Sequence, residues 1–163
     1  MTNYEFEMQE LLDEIKATPM PNPEELVAKA PNDNIKNALP IAEQIYLALK
    51  VIIKKYNLKG FTLRCFDLLT AVKNTGCLAL AKFNSEGVIA TCEGDVPAML
   101  SMAITNSLAS VSGFQANPAH INPTSGEMLF AHCTIPFNMI PRFHANVNHF
   151  LLKKRNKNIP QKN

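Results

Sequence analysis

The chain has 163 residues, 47% of them hydrophobic and 18% charged, which is enough for one domain with its own core and too apolar for a disordered segment. The net charge of +2 resides in a tail, Lys153-Lys154-Arg155-Asn156-Lys157, and the remainder is slightly acidic, which argues against a nucleic-acid partner. No apolar run reaches the length of a membrane span, and no basic stretch followed by an apolar core opens the chain, so a cytoplasmic location without a membrane partner is expected.

Tyr4, Phe6, Met8, Leu11, Leu12 and Ile15 recur at helical spacing and predict an amphipathic helix from Asn3 to Ala17. Pro19, Pro21 and Pro23 end it. Asn22-Pro23-Glu24-Glu25 reads as a new helix start, with Asn as cap and Pro in the first position, closing before Pro31. Between Asn34 and Asn57 a broad stripe of Ala38, Leu39, Ala42, Ile45, Tyr46, Leu49, Ile52 and Ile53 marks the strongest helix, with Pro40 possible as a later start. Phe61 to Phe66 is β-prone. A short helix is expected from Asp67 to Ala71 and another from Cys77 to Phe83, closed by Asn84-Ser85-Glu86-Gly87.

The organising stretch is Val88 to Met99. An apolar run ends in Cys92-Glu93-Gly94-Asp95 and a helical pattern begins at once, which reads as buried strand, tight turn and helix N-terminus. In open α/β sheets ligands bind at such carboxyl ends. Gly94 permits a positive φ, Asp95 is placed to cap the helix, and Pro97 falls in its first turn. The helix is expected to run to Ser110. Gly113 to Asn117 reads as a third strand ending at Pro118. Asn122 to Gly126 reads as a turn, and Met128 to Ile135 as a fourth strand. Pro141 to Leu152 carries Phe143, Val147, Phe150 and Leu151 and fits either a helix or an extended arm.

Strands alternating with helices predict an α/β fold: a three-layer, Rossmann-like parallel sheet flanked by helices, with a short C-terminal arm. The expected organisation is an N-terminal helical segment over 1–33, an α/β domain over 34–136, and an arm and basic tail over 137–163. Cys65, Cys77, Cys92 and Cys133 form no C-x-x-C pair and lie in apolar contexts, a pattern that fits buried free thiols better than a thiolate zinc site.

Cys77-Leu78-Ala79-Leu80-Ala81, Asn84-x-Glu86-Gly87 and Cys92-Glu93-Gly94-Asp95-Val96-Pro97-Ala98 together resemble the fucose isomerase/arabinose isomerase family. Phe114-x-x-Asn117-Pro118 and Ala131-His132-Cys133-Thr134 extend the match, which covers roughly Gly60 to Phe150. The resemblance implies a fucose isomerase-like domain of a metal-dependent aldose–ketose isomerase, with a sugar substrate and manganese or another divalent cation. Such enzymes carry two α/β domains ahead of a C-terminal barrel, and their active site forms in an oligomer. This chain would correspond to the second α/β domain and the entrance to the barrel. On that reading it is expected to be inactive alone and to join a homo-oligomer or complementing domains. The alternative is a non-catalytic oligomerisation or sugar-binding module derived from the family.

The resemblance assigns catalysis to Glu93 and Asn117, and metal binding to Glu93, Asn117, His132 and His149. Asn117 stands where the sugar isomerases carry a second carboxylate, and an amide cannot take a proton. After Phe150, Leu151-Leu152-Lys153-Lys154-Arg155 departs from the family's acidic, Gly-containing continuation. From the residues alone, Glu93 also fits a turn residue facing water, Asp95 a helix cap, Asn117-Pro118 a strand end, and His132 a core histidine. His144, His149 and His120 fit surface positions, and Arg64 with Asp67 fits a surface ion pair. Apolar surface normally covered by the missing domains is expected to be bare, unless Phe143, Phe150 and Leu151 cover it or drive self-association.

Overall fold

A computed structural model describes residues 3–110 and 112–139, with side chains described from residue 8 onward; the expected arm, with Phe143, His144, His149, Phe150 and Leu151, lies outside the described residues. The elements follow the order α1 (Asn3–Ala17), α2 (Glu24–Ala28), α3 (Asp33–Tyr56), β1 (Gly60–Leu63), α4 (Cys65–Val72), α5 (Cys77–Ser85), β2 (Ile89–Cys92), α6 (Val96–Ala109), β3 (Asn117–Ile121) and β4 (Met128–Ala131). A single 3-10 turn, Phe137–Met139, ends the described chain.

The α/β class is observed. β1 and β2 pair in parallel with Gly60 opposite Ile89 and Leu63 opposite Cys92. Strand alternation sends Phe61, Leu63, Ala90 and Cys92 to one face, where they join Leu11 and Ile15 of α1, Ile45, Tyr46 and Leu49 of α3, Leu68 of α4, and Leu80 and Phe83 of α5 in one core. Phe83 is the hub: its ring lies 4.8 Å from Tyr46 and edge-on to Phe61 at 5.6 Å. α6 contacts both strands. Thr91, which alternates to the opposite face, is fully buried and its Oγ1 donates to the Asp95 carbonyl at the head of α6.

α3 starts one residue earlier than expected because Asn32 caps it, accepting from the Ile35 N–H at 3.0 Å. Pro40 lies inside this helix rather than at its start. Its pyrrolidine removes one donor, but the stripe of Leu39, Ala42, Ile45 and Leu49 is buried deeply enough to outweigh that loss. In α2 Asn22 is not the cap: its side chain donates to Glu24 Oε1 instead, and Pro23 occupies the cap position. The first strand is shorter than expected, because Cys65 and Phe66 already belong to α4.

The third and fourth strands correct the expected topology. Gly113 to Ala116 is not strand; β3 starts at Asn117 and runs through Pro118. β3 and β4 form a separate antiparallel pair, with Asn117 opposite Ala131 and a bulge between Pro118 and His120. The loop explains the pairing. Asn122 Oδ1 accepts from the Thr124 and Ser125 N–H groups, Gly126 donates back to the Asn122 carbonyl, and Asn122 N–H closes onto Glu127. A proline is tolerated in such an exposed edge strand, where one face needs no ladder bond.

The free edge of β2 is closed by side chains. Asn84 Nδ2 donates to the Ala90 carbonyl at 2.7 Å, and Asn84 Oδ1 accepts from the Ala90 N–H at 2.8 Å. Two residues further along, the Cys92 N–H donates to Gln115 Oε1 at 2.7 Å. Ala90 and Cys92 share one edge, so two primary amides stand where a third strand would pair. The segment read as a strand does run beside β2, but it engages the edge through a side chain.

Candidate functional site

The carboxyl ends of β1 and β2 form a rim. After Cys92 the chain turns over Glu93 and Gly94, with φ values of 64° and 70°, and the Asp95 N–H returns to the Cys92 carbonyl at 3.2 Å. Two successive positive φ angles are the signature of a type I′ turn. Gly94 meets that demand freely, while Glu93 is held in a left-handed conformation that side chains rarely adopt. A Cβ on Gly94 would stand 3.1 Å from Arg64 Cγ, so the arginine stem lies directly on the turn. Arg64 Nε pairs with Asp67 Oδ2 at 3.2 Å, the surface ion pair that the sequence allows.

Asp95 caps α6: its Oδ1 accepts from the Ala98 N–H at 2.8 Å. Glu93 is therefore the acid of the turn left exposed, projecting from the rim. Asn117 is exposed at the base of the β3–β4 hairpin, opposite Ala131, which places it beside His132 in the pairing register. His132 is half-buried, and its Nδ1 lies 3.0 Å from Thr134 Oγ1 and 3.7 Å from Cys133 Sγ. Gln115 ties this hairpin base to Cys92, the residue before Glu93. The structure links Cys92, next to Glu93, to Gln115, two residues before Asn117, and pairs Asn117 with Ala131, next to His132. His149 lies outside the described residues. His120 is exposed on β3. Among the described residues, no three His, Cys, Asp or Glu side chains are placed to share a metal ion.

Beneath the rim the structure assembles something the sequence spacing conceals. Cys65 and Cys77 at the heads of α4 and α5 and Cys92 at the end of β2 are buried in the main core, and Cys133, on the loop after β4, packs against that core. None is in a disulfide. The Thr75 hydroxyl donates to Cys77 Sγ at 3.2 Å. Hydrogen bonding from the surrounding thiols and from this hydroxyl pushes the Cys77 thiol down. Its hydrogen-bonded neighbours and burial push Cys65 up. Gly76 makes room for this packing, since a Cβ there would collide with the Leu63 side chain and touch Cys65 Sγ at 3.5 Å.

The apolar surface expected to be bare is present. α6 has no charged residue, and Val96, Leu100, Ile104 and Leu108 are exposed at four-residue intervals. The hairpin exposes Ile121, Met128, Leu129 and Phe130. A cleft of about 480 Å³ lies elsewhere, against α1 and the end of α3; Glu10 and Lys55 line it, and none of the rim residues does. No helix among the described residues is long and apolar enough to cross a membrane.

Comparison with known proteins finds a distant likeness to sugar isomerases. The chain is 28% identical to a sulfoquinovose isomerase of Alkalicoccus urumqiensis over 92 residues, 55% of this chain and 21% of that protein. It is 26% identical over 87 residues to sulfoquinovose isomerases of Priestia aryabhattai and Priestia megaterium, covering 52% of this chain and 20% of each. The matched region therefore spans about a fifth of the length of these curated relatives. No family model matches the chain, and no solved structure matches it. The likeness supports a sugar isomerase relationship and does not single out the fucose isomerases.

Proposed function

We propose that this chain is an isomerase-like sugar-binding domain that contributes Glu93 as the acid–base residue of an aldose–ketose isomerase site completed by other domains. The observation that carries this reading is the strained, exposed position of Glu93 at the carboxyl end of the parallel pair, in a chain resembling sugar isomerases. Moving a carbonyl between neighbouring sugar carbons needs a group that takes a proton from one and returns it to the next. A positioned carboxylate does this, contributing about 10²–10⁴-fold. Asn117 cannot share that task, but its amide both donates and accepts hydrogen bonds to sugar hydroxyls. His132 engages Thr134 through Nδ1, and in this reading its other ring nitrogen, Nε2, serves a sugar hydroxyl. Among the described residues, neither the carboxylates nor His132 are grouped to hold the manganese that the resemblance implies.

The reading predicts no turnover by the chain alone with a panel of aldoses and sulfoquinovose, with or without Mn²⁺. Ketose formation is expected when the complementary domains of a sulfoquinovose isomerase are supplied, and Glu93→Gln is expected to abolish it. Activity retained in Glu93→Gln would remove the catalytic assignment. The uncharged, exposed face of α6 favours a second reading, a non-catalytic module that assembles as a homo-oligomer or against partner domains, and failure of complementation would support it.

A further inference from the structure

The two ring nitrogens of His132 have different surroundings. Nδ1 lies 3.0 Å from Thr134 Oγ1 and 3.7 Å from Cys133 Sγ. Among the described residues, the one buried side-chain nitrogen or oxygen left without a partner is Glu43 Oε2, so Nε2, which has no partner there, is open to solvent. Thr134 is the opposite case. It is 1% exposed, and the segment that carries it is anchored on both sides. Cys133 packs against the main core, and Ile135 and Phe137 pack against a second cluster around Leu39 and Leu78. The Phe137 N–H also donates to Ser85 Oγ at 2.7 Å. Among the described residues, His132 Nδ1 is the sole hydrogen-bond partner of the Thr134 hydroxyl, which is too deeply buried for water to replace it.

A buried hydroxyl hydrogen needs an acceptor. Only one of the two neutral imidazole tautomers supplies it. With the ring proton on Nε2, Nδ1 keeps a lone pair and the Thr134 O–H donates to it. With the ring proton on Nδ1, the ring donates to Thr134 Oγ1 and the hydrogen of the hydroxyl is stranded. Cys133 does not reverse this choice, because a thiol sulfur at 3.7 Å is a weak acceptor. We propose that Thr134 is a positioning residue that holds neutral His132 with its proton on Nε2, so that the ring offers a hydrogen-bond donor to a sugar oxygen. The sugar rests on the function proposed above; the tautomer does not. A metal ion needs the opposite arrangement, a lone pair on the open nitrogen, and would leave the Thr134 hydrogen without an acceptor. The setting of His132 is thus at odds with the metal-binding role that the resemblance assigns to it.

The test reads the ring by two-bond proton–nitrogen correlation in the whole ¹⁵N-labelled chain near pH ~8, above the ordinary histidine pKa of about 6.5. His132→Gln and His120→Gln assign the signals, and the exposed His120 ring is the internal reference. In wild type, His132 should favour the proton on Nε2 about tenfold more strongly than His120 does. In Thr134→Val, which keeps the branched shape and loses the hydroxyl, the ratio should fall to that of His120. In Thr134→Ser, which keeps the hydroxyl, it should stay at the wild-type value. The wild-type spectrum needs no change at Thr134, so a variant that fails to fold leaves the test intact. No ligand is added either, so failed complementation together with a ring protonated on Nε2 would remove the sugar reading alone. A His132 ring protonated on Nδ1, a ratio no greater than that of His120, or a folded Thr134→Val chain with the wild-type ratio would overturn the proposal.

Discussion

Asn84 closes the open edge of β2, and replacing it tests whether a side-chain amide does the work of a strand. The residue is 4% exposed at the end of α5, and its amide serves both backbone groups of Ala90, itself fully buried. Asn84→Ala strips a partner from a buried N–H and a buried C=O. Each orphaned group costs ~1–3 kcal/mol, so about 3 kcal/mol is expected once water reaches part of the edge. For a domain of this size that corresponds to a fall in melting temperature of roughly 6–12 °C. Asn84→Asp separates the two bonds. It keeps an acceptor for the Ala90 N–H but points a second oxygen at the Ala90 carbonyl. Ionised, that oxygen repels; protonated, it donates and restores the pair. The introduced carboxyl is therefore held above its unfolded pKa in the folded state. Its stabilising contribution is complete below the unfolded value and is lost as pH rises through the folded one. Urea unfolding followed by far-ultraviolet circular dichroism, at neutral pH and near pH 4, measures both variants against wild type. The Asn84→Asp penalty should shrink on acidification while the Asn84→Ala penalty stays constant. An Asn84→Ala cost below ~1 kcal/mol, well under that of a buried orphan pair, or a pH-independent Asn84→Asp penalty, would refute the edge argument.

Glu93→Gly relieves the left-handed residue of the rim turn and should raise stability by about 0.5–1 kcal/mol in chemical denaturation; a loss of stability would show that the side chain makes compensating contacts. Asp95→Ala removes the cap of α6 and should cost ~1 kcal/mol, with Asp95→Asn recovering most of it. The Tyr46 hydroxyl is pushed up by burial and by the adjacent Glu86 and Glu43 carboxylates. Its contribution is complete below the unfolded tyrosine pKa of about 10 and is lost as pH rises beyond it, a loss that a Tyr46→Phe comparison should remove. Ile104→Lys with Leu108→Lys places charge on the bare face of α6 and should lower the mass seen by light scattering. Identical masses for variant and wild type would argue against self-association through that face.

What the sequence reveals is what is local. The α1 bounds, the Asn57-to-Gly60 stop after α3 and the strand–turn–helix around Glu93 are written in apolar period and in Gly, Pro and Asp placed a few residues apart. Asp95 as cap follows from the same short range. The hairpin was harder to read because Pro118 looks like a terminator, whereas an exposed edge strand accepts it. The amides at the β2 edge are invisible in the pattern, since Asn84 and Gln115 are polar residues in loop-like contexts that become structural only once β2 lies between them. The shared burial of Cys65, Cys77 and Cys92, with Cys133 against the same core, is equally hidden, because the four positions are separated by up to 68 residues between first and last.

The two amides also bear on the rim itself. A two-stranded pair is marginal on its own, so β1–β2 depends on the α3–α5 layer beneath it and on whatever satisfies its free edge. Gln115 does this at Cys92, one residue from Glu93 and two from Asn117. The bond that finishes the sheet is therefore the bond that sets the hairpin base against the rim turn. Gln115→Ala should loosen both together, raising amide exchange at Cys92 and at the base of β3, while leaving the Asn84–Ala90 contact protected. If exchange rose at Cys92 alone, the hairpin would be held by other contacts, such as the packing of Cys133 against the core, and the joining of Asn117 to Glu93 through Gln115 would fail.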